Sequence, residues 1–128
     1  MKRHKTHRLG DLQLKILKVL WDEEEASVSQ VLEALDDSST LAYTTVATML
    51  RKMEARGLVA HRPEGRTFIY RAKVADKDVS RSMTNHLVDR LFEGSLVDAV
   101  NHLLTAREVS PHELAELERL IREKKKAL

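Results

Sequence analysis

Apolar residues in the middle of the chain recur with helical spacing. Val46, Met49, Leu50 and Met53 fall at i, i+3, i+4 and i+7, which predicts a helix with one buried stripe. The opposite face of that helix carries Thr44, Thr45, Thr48, Arg51 and Lys52. Gly57 follows as the residue that ends the helix, because a helix C-terminus commonly needs a positive φ there. Two short runs of β-forming residues come next, Leu58–Arg62 and Thr67–Arg71, joined by Pro63-Glu64-Gly65-Arg66, and they predict a hairpin with a charged tip.

Upstream, Leu12, Ile16, Val19 and Leu20 predict a first helix over Asp11–Trp21, with Leu9 as a staple and Trp21 anchoring the helix to the hairpin. Asp22 to Glu25 read as an acidic loop. Ser27 and Gln30 have capping-box spacing and start a second helix whose inner face is Val28, Val31, Leu32 and Leu35. Asp36 to Thr40 form a polar connector, and the third helix begins at about Leu41 or Ala42. Three helices, a glycine stop and a basic hairpin are the order of a winged helix-turn-helix.

Beyond the hairpin, residues 72–78 read as a linker, and no further β signal appears. Val79, Met83, Leu87, Val88, Leu91 and Phe92 are spaced three or four apart or adjacent, Gly94 marks a break, and Leu96, Val97, Val100, Leu103 and Leu104 continue on another helix. Ser110-Pro111-His112-Glu113 is a helix start, with Ser at the N-cap, Pro at the first helical position and Glu at the third. Leu114, Leu117, Leu120 and Ile121 form its stripe, and Lys124 to Lys126 complement the dipole of its last turn. The expected fold is mainly α: a winged helix-turn-helix over residues 1–74, then a three-helix module over 75–128. Three short striped helices make a thin core alone. Burying the stripes against a second copy predicts a homodimer, with Leu87, Leu91, Phe92, Leu117 and Ile121 at the interface; folding back on the first domain is the alternative.

The net charge of +2 says little, but its distribution does. Residues 1–8 hold four cations and no acid; they are expected to form a mobile arm, either a solubilising tail or a phosphate contact. Residues 9–39 hold two Lys against eight acids. Residues 40–73 hold seven cations against Glu54 and Glu64, so positive charge gathers on the third helix and hairpin, as a phosphate-facing surface requires. There is no cysteine, which excludes disulfides, thiolate metal sites and cysteine nucleophiles. No apolar run approaches the ~18 residues of a membrane span, and no apolar segment follows the basic start, so neither membrane insertion nor a secretory signal is expected and the protein is placed in the cytoplasm.

Four glycines form no phosphate cradle, and the histidines are scattered. No enzyme, metal site or cofactor is therefore expected. The partner that the polar face fits is double-stranded DNA. Thr44, Thr45 and Thr48 should lie near the floor or phosphate wall of a major groove, with Arg51 and Lys52 on the backbone or a guanine. Tyr43 can pack between helices or reach a phosphate through its hydroxyl, and a mixed role is expected. Arg62 and Arg66 on the hairpin should meet neighbouring phosphates or the minor groove. A winged helix used only for protein contacts is the competing reading, and the scarcity of apolar anchors on this face argues against it.

These residues resemble the penicillinase-repressor family of winged-helix regulators, the BlaI/MecI group. The resemblance runs through Leu9-Gly10-Asp11-Leu12, Ile16-Leu17, Leu20-Trp21, Leu41-Ala-Tyr-Thr-Thr-Val-Ala-Thr-Met-Leu50 and Gly57-Leu58-Val59, with Arg66 to Tyr70, Leu91-Phe92-Glu93-Gly94-Ser95 and Glu113-Leu114 in support. It covers nearly all the chain from Leu9. It implies a homodimeric repressor on a palindromic operator, upstream of a resistance or stress operon and answering to a membrane sensor of metalloprotease type or a downstream protease. In some members repression ends by cleavage at an Asn-Phe bond after the Gly-Ser turn; here Asn101 is followed by His102. Loss of dimerisation is the expected off-switch, whether by such a cut or by a ligand. The copper-sensing branch uses C-terminal cysteines, which this chain lacks.

Overall fold

The computed structural model describes residues 9–35 and 41–128; the basic arm 1–8 and the connector 36–40 lie outside the described residues. The order of elements is α1 (Asp11–Glu23), β1 (Ala26–Ser27), α2 (Val28–Ala34), α3 (Tyr43–Ala55), β2 (Val59–Glu64), β3 (Thr67–Ala72), α4 (Asp76–Phe92), α5 (Leu96–Ala106) and α6 (Pro111–Lys126). The structure is mainly helical with one small antiparallel sheet, as expected.

Helix α1 starts at Gly10, whose N–H donates to the Gln13 side chain at 3.3 Å; this is half of a capping box, since Gly10 has no side chain to return the bond. The helix runs past Trp21 to Glu23 and ends where Glu24 takes a φ of 71°. Ile16, Leu17 and Leu20 are buried. Leu17 widens the expected stripe, while Leu12 and Val19 sit at its half-buried margins. Trp21 donates from Nε1 to the carbonyl of Val74 at 2.8 Å, tying α1 to the chain just past the hairpin.

Ser27 caps α2 through the expected capping box: its Oγ accepts from Gln30 N at 3.2 Å, and Gln30 Oε1 accepts from Ser27 N at 2.8 Å. The same residue closes β1, a strand the hydrophobic pattern did not reveal. β1 pairs with β3 (Ala26 with Tyr70, Ser27 with Ile69), and β3 pairs with β2 from Val59–Ala72 to Glu64–Thr67, so the strand order is β1-β3-β2. The hairpin loop is shorter than expected, Gly65 and Arg66 alone between paired strands. Gly65 has a φ of 63° while Arg66 keeps a negative φ, the pattern of a type II′ turn, which places Gly first. Gly57, with a φ of 76°, follows the C-cap Arg56 and turns the chain from α3 into β2.

The core gathers Ile16, Leu17 and Leu20 of α1, Val28 and Val31 of α2, and Val46, Leu50 and Met53 of α3, closed by Leu58, Val59 and Tyr70 from the hairpin. Contacts divide the chain into two units, the first ending at Thr84 and the second running from Asn85 to Leu128. The expected boundary at residues 74/75 falls before α4; the first half of α4, including the buried Val79, groups with the first unit.

In the second unit, Gly94 (φ 81°) and Glu93 (φ 51°) make the break, and Ser95 caps α5 by accepting from Asp98 N at 3.1 Å. Ser110 and Glu113 form the expected capping box of α6, with Pro111 in its first turn. The stripes of this unit are not covered: Ala99 is its one buried hydrophobic residue among those described, while Leu91 is 69% and Val97 77% exposed.

Leu50 sits fully buried at the centre of the core of the first unit. Leu50→Ala should cost about 2–5 kcal/mol of stability. The urea-unfolding midpoint should fall with little change in slope.

Candidate nucleic-acid interface

Burial splits α3 lengthwise. Val46, Leu50 and Met53 have no solvent exposure, so the residues between them are turned outward. Thr44, Thr45, Thr48, Arg51 and Lys52 are all exposed, and Tyr43 is 51% exposed at the helix start. The sequence-predicted residues of this helix therefore share one open face. Arg51 Nη2 donates to Thr48 Oγ1 at 3.2 Å, one turn away, which lays the guanidinium along that face. Met49 is half-buried at the edge of the stripe; its sulfur accepts from Gln13 Nε2 at 3.4 Å, while Gln13 Oε1 accepts from Arg56 Nη1 at 3.1 Å. Gln13 of α1 thus holds the last turns of α3.

The two hairpin arginines differ. Arg66 is the exposed second residue of the turn, at the tip of the wing. Arg62 lies back along β2, and its guanidinium forms a fork on Glu25, with Nε to Oε2 at 3.0 Å and Nη2 to Oε1 at 3.1 Å. The hydrogen bond from Arg62 is the main reason that the Glu25 carboxyl titrates below its ordinary value, with the charges of Arg62 and Arg71 adding to it against some desolvation. Glu25 in turn holds Arg62 still more firmly protonated. Residues 25 and 62 join the acidic loop to the wing, and nothing in the local sequence pattern signals that pairing.

A second tie was also not foreseen. His61, one of the scattered histidines, is exposed but bound: its Nδ1 lies 2.7 Å from Oε1 and 2.9 Å from Oε2 of Glu54 on α3. The ring rests on Phe68, with centroids 4.2 Å apart. Strand alternation puts His61 and Arg62 on opposite faces, so the two ties lie on opposite sides of the wing.

A family profile described as penicillinase repressor matches residues 9–123. The chain belongs to the penicillinase repressor family. It is a DNA-binding transcriptional repressor and not an enzyme. Its relatives include the penicillinase repressor of Bacillus licheniformis, 27% identical over 121 residues that cover 94% of each chain. The transcriptional regulator BlaI of Mycobacterium tuberculosis is 35% identical over 97 residues, covering 75% of this chain and 62% of that one. Among solved structures, the solution structure of the DNA-binding domain of the repressor BlaI superposes with a TM-score of 0.51 at 29% identity, over 59% of this chain and 93% of that one. A mutant MarR from E. coli shares the fold, with a TM-score of 0.52 at 16% identity over 90% of this chain and 76% of that one. No helix among the described residues of the repressor is long and apolar enough to cross a membrane.

The Glu25–Arg62 tie carries a pH signature. The Glu25 carboxyl titrates below its ordinary value in the folded state, so its contribution to stability is full above that ordinary value and is lost as pH falls through the lowered one. The melting temperature of Glu25→Gln should lie below that of the unmutated chain at neutral pH, and the gap should close in strongly acidic buffer.

Proposed function

We propose that this repressor acts in the cytoplasm as a homodimer on a palindromic operator, each copy laying α3 in a major groove and its wing tip on the adjacent backbone. The observation that carries this reading is the open polar face of α3, hydroxyls at its start and cations a turn or two later, backed by a fully buried apolar stripe. Thr44, Thr45 and Thr48 approach base edges or the phosphate wall, and Arg51 and Lys52 hold a guanine or the backbone. The exposure of Tyr43 favours a phosphate contact through its hydroxyl over a core role. Arg66 meets phosphate from the wing tip. Arg62 contributes less, because it must share its guanidinium with Glu25.

The uncovered stripes of the second unit support dimerisation. Leu87, Leu91, Leu117 and Ile121 are exposed in the single chain, and Phe92 is half-buried beside His102 at 5.6 Å. A second copy would cover these residues and set the two recognition helices about 34–36 Å apart, one turn of duplex, or a multiple of that. A dimer binds its second half-site as an intramolecular event, so parting the subunits releases DNA without altering α3. Loss of dimerisation is therefore the off-switch. The trigger is either a ligand acting on the dimer module or a protease answering to a membrane sensor. Asn101 and His102 lie inside α5, with the Asn101 carbonyl accepting from Thr105 Oγ1 at 2.8 Å, so proteolysis there requires local unwinding first.

Two measurements test this. Thr45→Ala should change the ranking of sequences selected from random duplexes, at a cost of ~1–3 kcal/mol for a good base contact; an unchanged ranking would remove Thr45 from the readout. Residues 1–101 alone should sediment as a monomer and bind operator far more weakly than the full chain. Equal affinity of fragment and full chain would exclude dissociation as the switch.

A further inference from the structure

The wing is poorly supported by its own sheet. β1 pairs with β3 only at Tyr70 and Ile69, so the hairpin is two-stranded from Pro63–Phe68 to the Gly65-Arg66 turn, while His61 and Arg62 lie in the last three-stranded rows at its base. Two isolated strands are marginal in water. The direction of the tip is therefore set at that base, by its lateral contacts. On one face Arg62 is held by Glu25 of the acidic loop. On the other, His61 reaches the recognition helix itself: both oxygens of Glu54 lie within 2.9 Å of Nδ1.

This second contact is more than an isolated surface pair. The imidazole stacks on Phe68 at a 30° tilt and leans against Tyr70 at 5.6 Å, so it is braced by the partner strand on two sides. The side chains of His61 and Glu54 keep 30% and 34% of their exposure, which shields the contact from solvent more than an open surface pair. Tyr70 beneath them is buried, and its hydroxyl is pushed above its ordinary pKa by burial first and by the Glu54 charge second. Glu54 lies on α3 one turn after Arg51, and His61 lies on the strand that leads to Arg66.

We infer that Glu54 and His61 are positioning residues for DNA binding: their contact sets the wing at a fixed angle to α3, so that the groove face of the helix and Arg66 at the wing tip engage one duplex as a unit. The inference rests on the reading of α3 and the wing tip as the two DNA-contacting elements. Its physical content is preorganisation. A wing held before binding does not lose its freedom on binding, and its phosphate contact then behaves as the second arm of a linked pair. Without the tie the base of the hairpin shifts against α3, the tip moves with it, and Arg66 meets phosphate for only part of the time.

The test is a double-mutant cycle on the full chain, read as the affinity and salt slope of binding to a mixed-sequence duplex, with thermal melting of the free proteins alongside. In the unmutated chain, Arg66→Ala should lower the salt slope by about one per wing. Glu54→Ala and His61→Ala should each weaken binding roughly three- to tenfold, and in either background Arg66→Ala should remove less than about half of the slope it removes otherwise. His61→Asn, whose amide nitrogen stands near the place of Nδ1, should restore both quantities. A contact that served stability alone would lower the melting temperature and leave the effect of Arg66→Ala unchanged, so equal slope changes with and without Glu54 overturn the inference. An Arg66→Ala change that alters no slope in the unmutated chain instead overturns the wing reading beneath it.

Discussion

Everything on the proposed groove side of this repressor depends on one packing constraint, the complete burial of Val46, Leu50 and Met53. With 3.6 residues per turn, fixing those three inward leaves no freedom in the direction of Thr44, Thr45, Thr48, Arg51 and Lys52. The stripe packs with Ile16, Leu17 and Leu20 of α1 and with Val31 of α2 in a single core. Gly57 then admits a turn tight enough for Leu58 and Val59 to close the same core from below, which brings the basic hairpin beside the helix. The proposed readout and the stability thus belong to opposite sides of one element.

The two units meet the same problem of apolar surface in different ways. In the first unit, helices and sheet cover each other's stripes. In the second, α5 and α6 present Leu96, Val97, Leu120 and Ile121 to solvent, although each starts at a serine N-cap. Uncovered apolar faces of this kind support the proposed association with a second copy. The first unit has its own core, so the proposed switch by dissociation would leave its fold intact.

Much of this could be read from the chain directly. The stripe of α3, the stop at Gly57, the hairpin and the capping boxes at Ser27 and Ser110 are local patterns of periodicity and turn chemistry, and the structure reproduces them. The strand β1 was hidden, since two residues cannot show an alternation and Ser27 already served as a helix cap. Leu17 was missed because the stripe of α1 is wider than one row when it faces both α3 and the sheet. The ties Glu25–Arg62 and Glu54–His61 were invisible for a different reason. Each joins residues from separate elements, 37 and 7 positions apart, and only the fold brings a carboxylate to the cation or imidazole. The proposed DNA-facing residues of α3 were read from the periodicity of that helix, and the ties lie outside both that pattern and the motifs of the family likeness.

The most direct test of the central claim is a titration of the isotope-labelled full chain with operator duplex, followed by amide chemical-shift changes. The account places the largest changes on α3 from Tyr43 to Lys52 and on the Gly65-Arg66 turn, with the buried Val31 and the α6 stripe little affected. Largest changes on α2 or α6, with α3 and the wing tip silent, would contradict it.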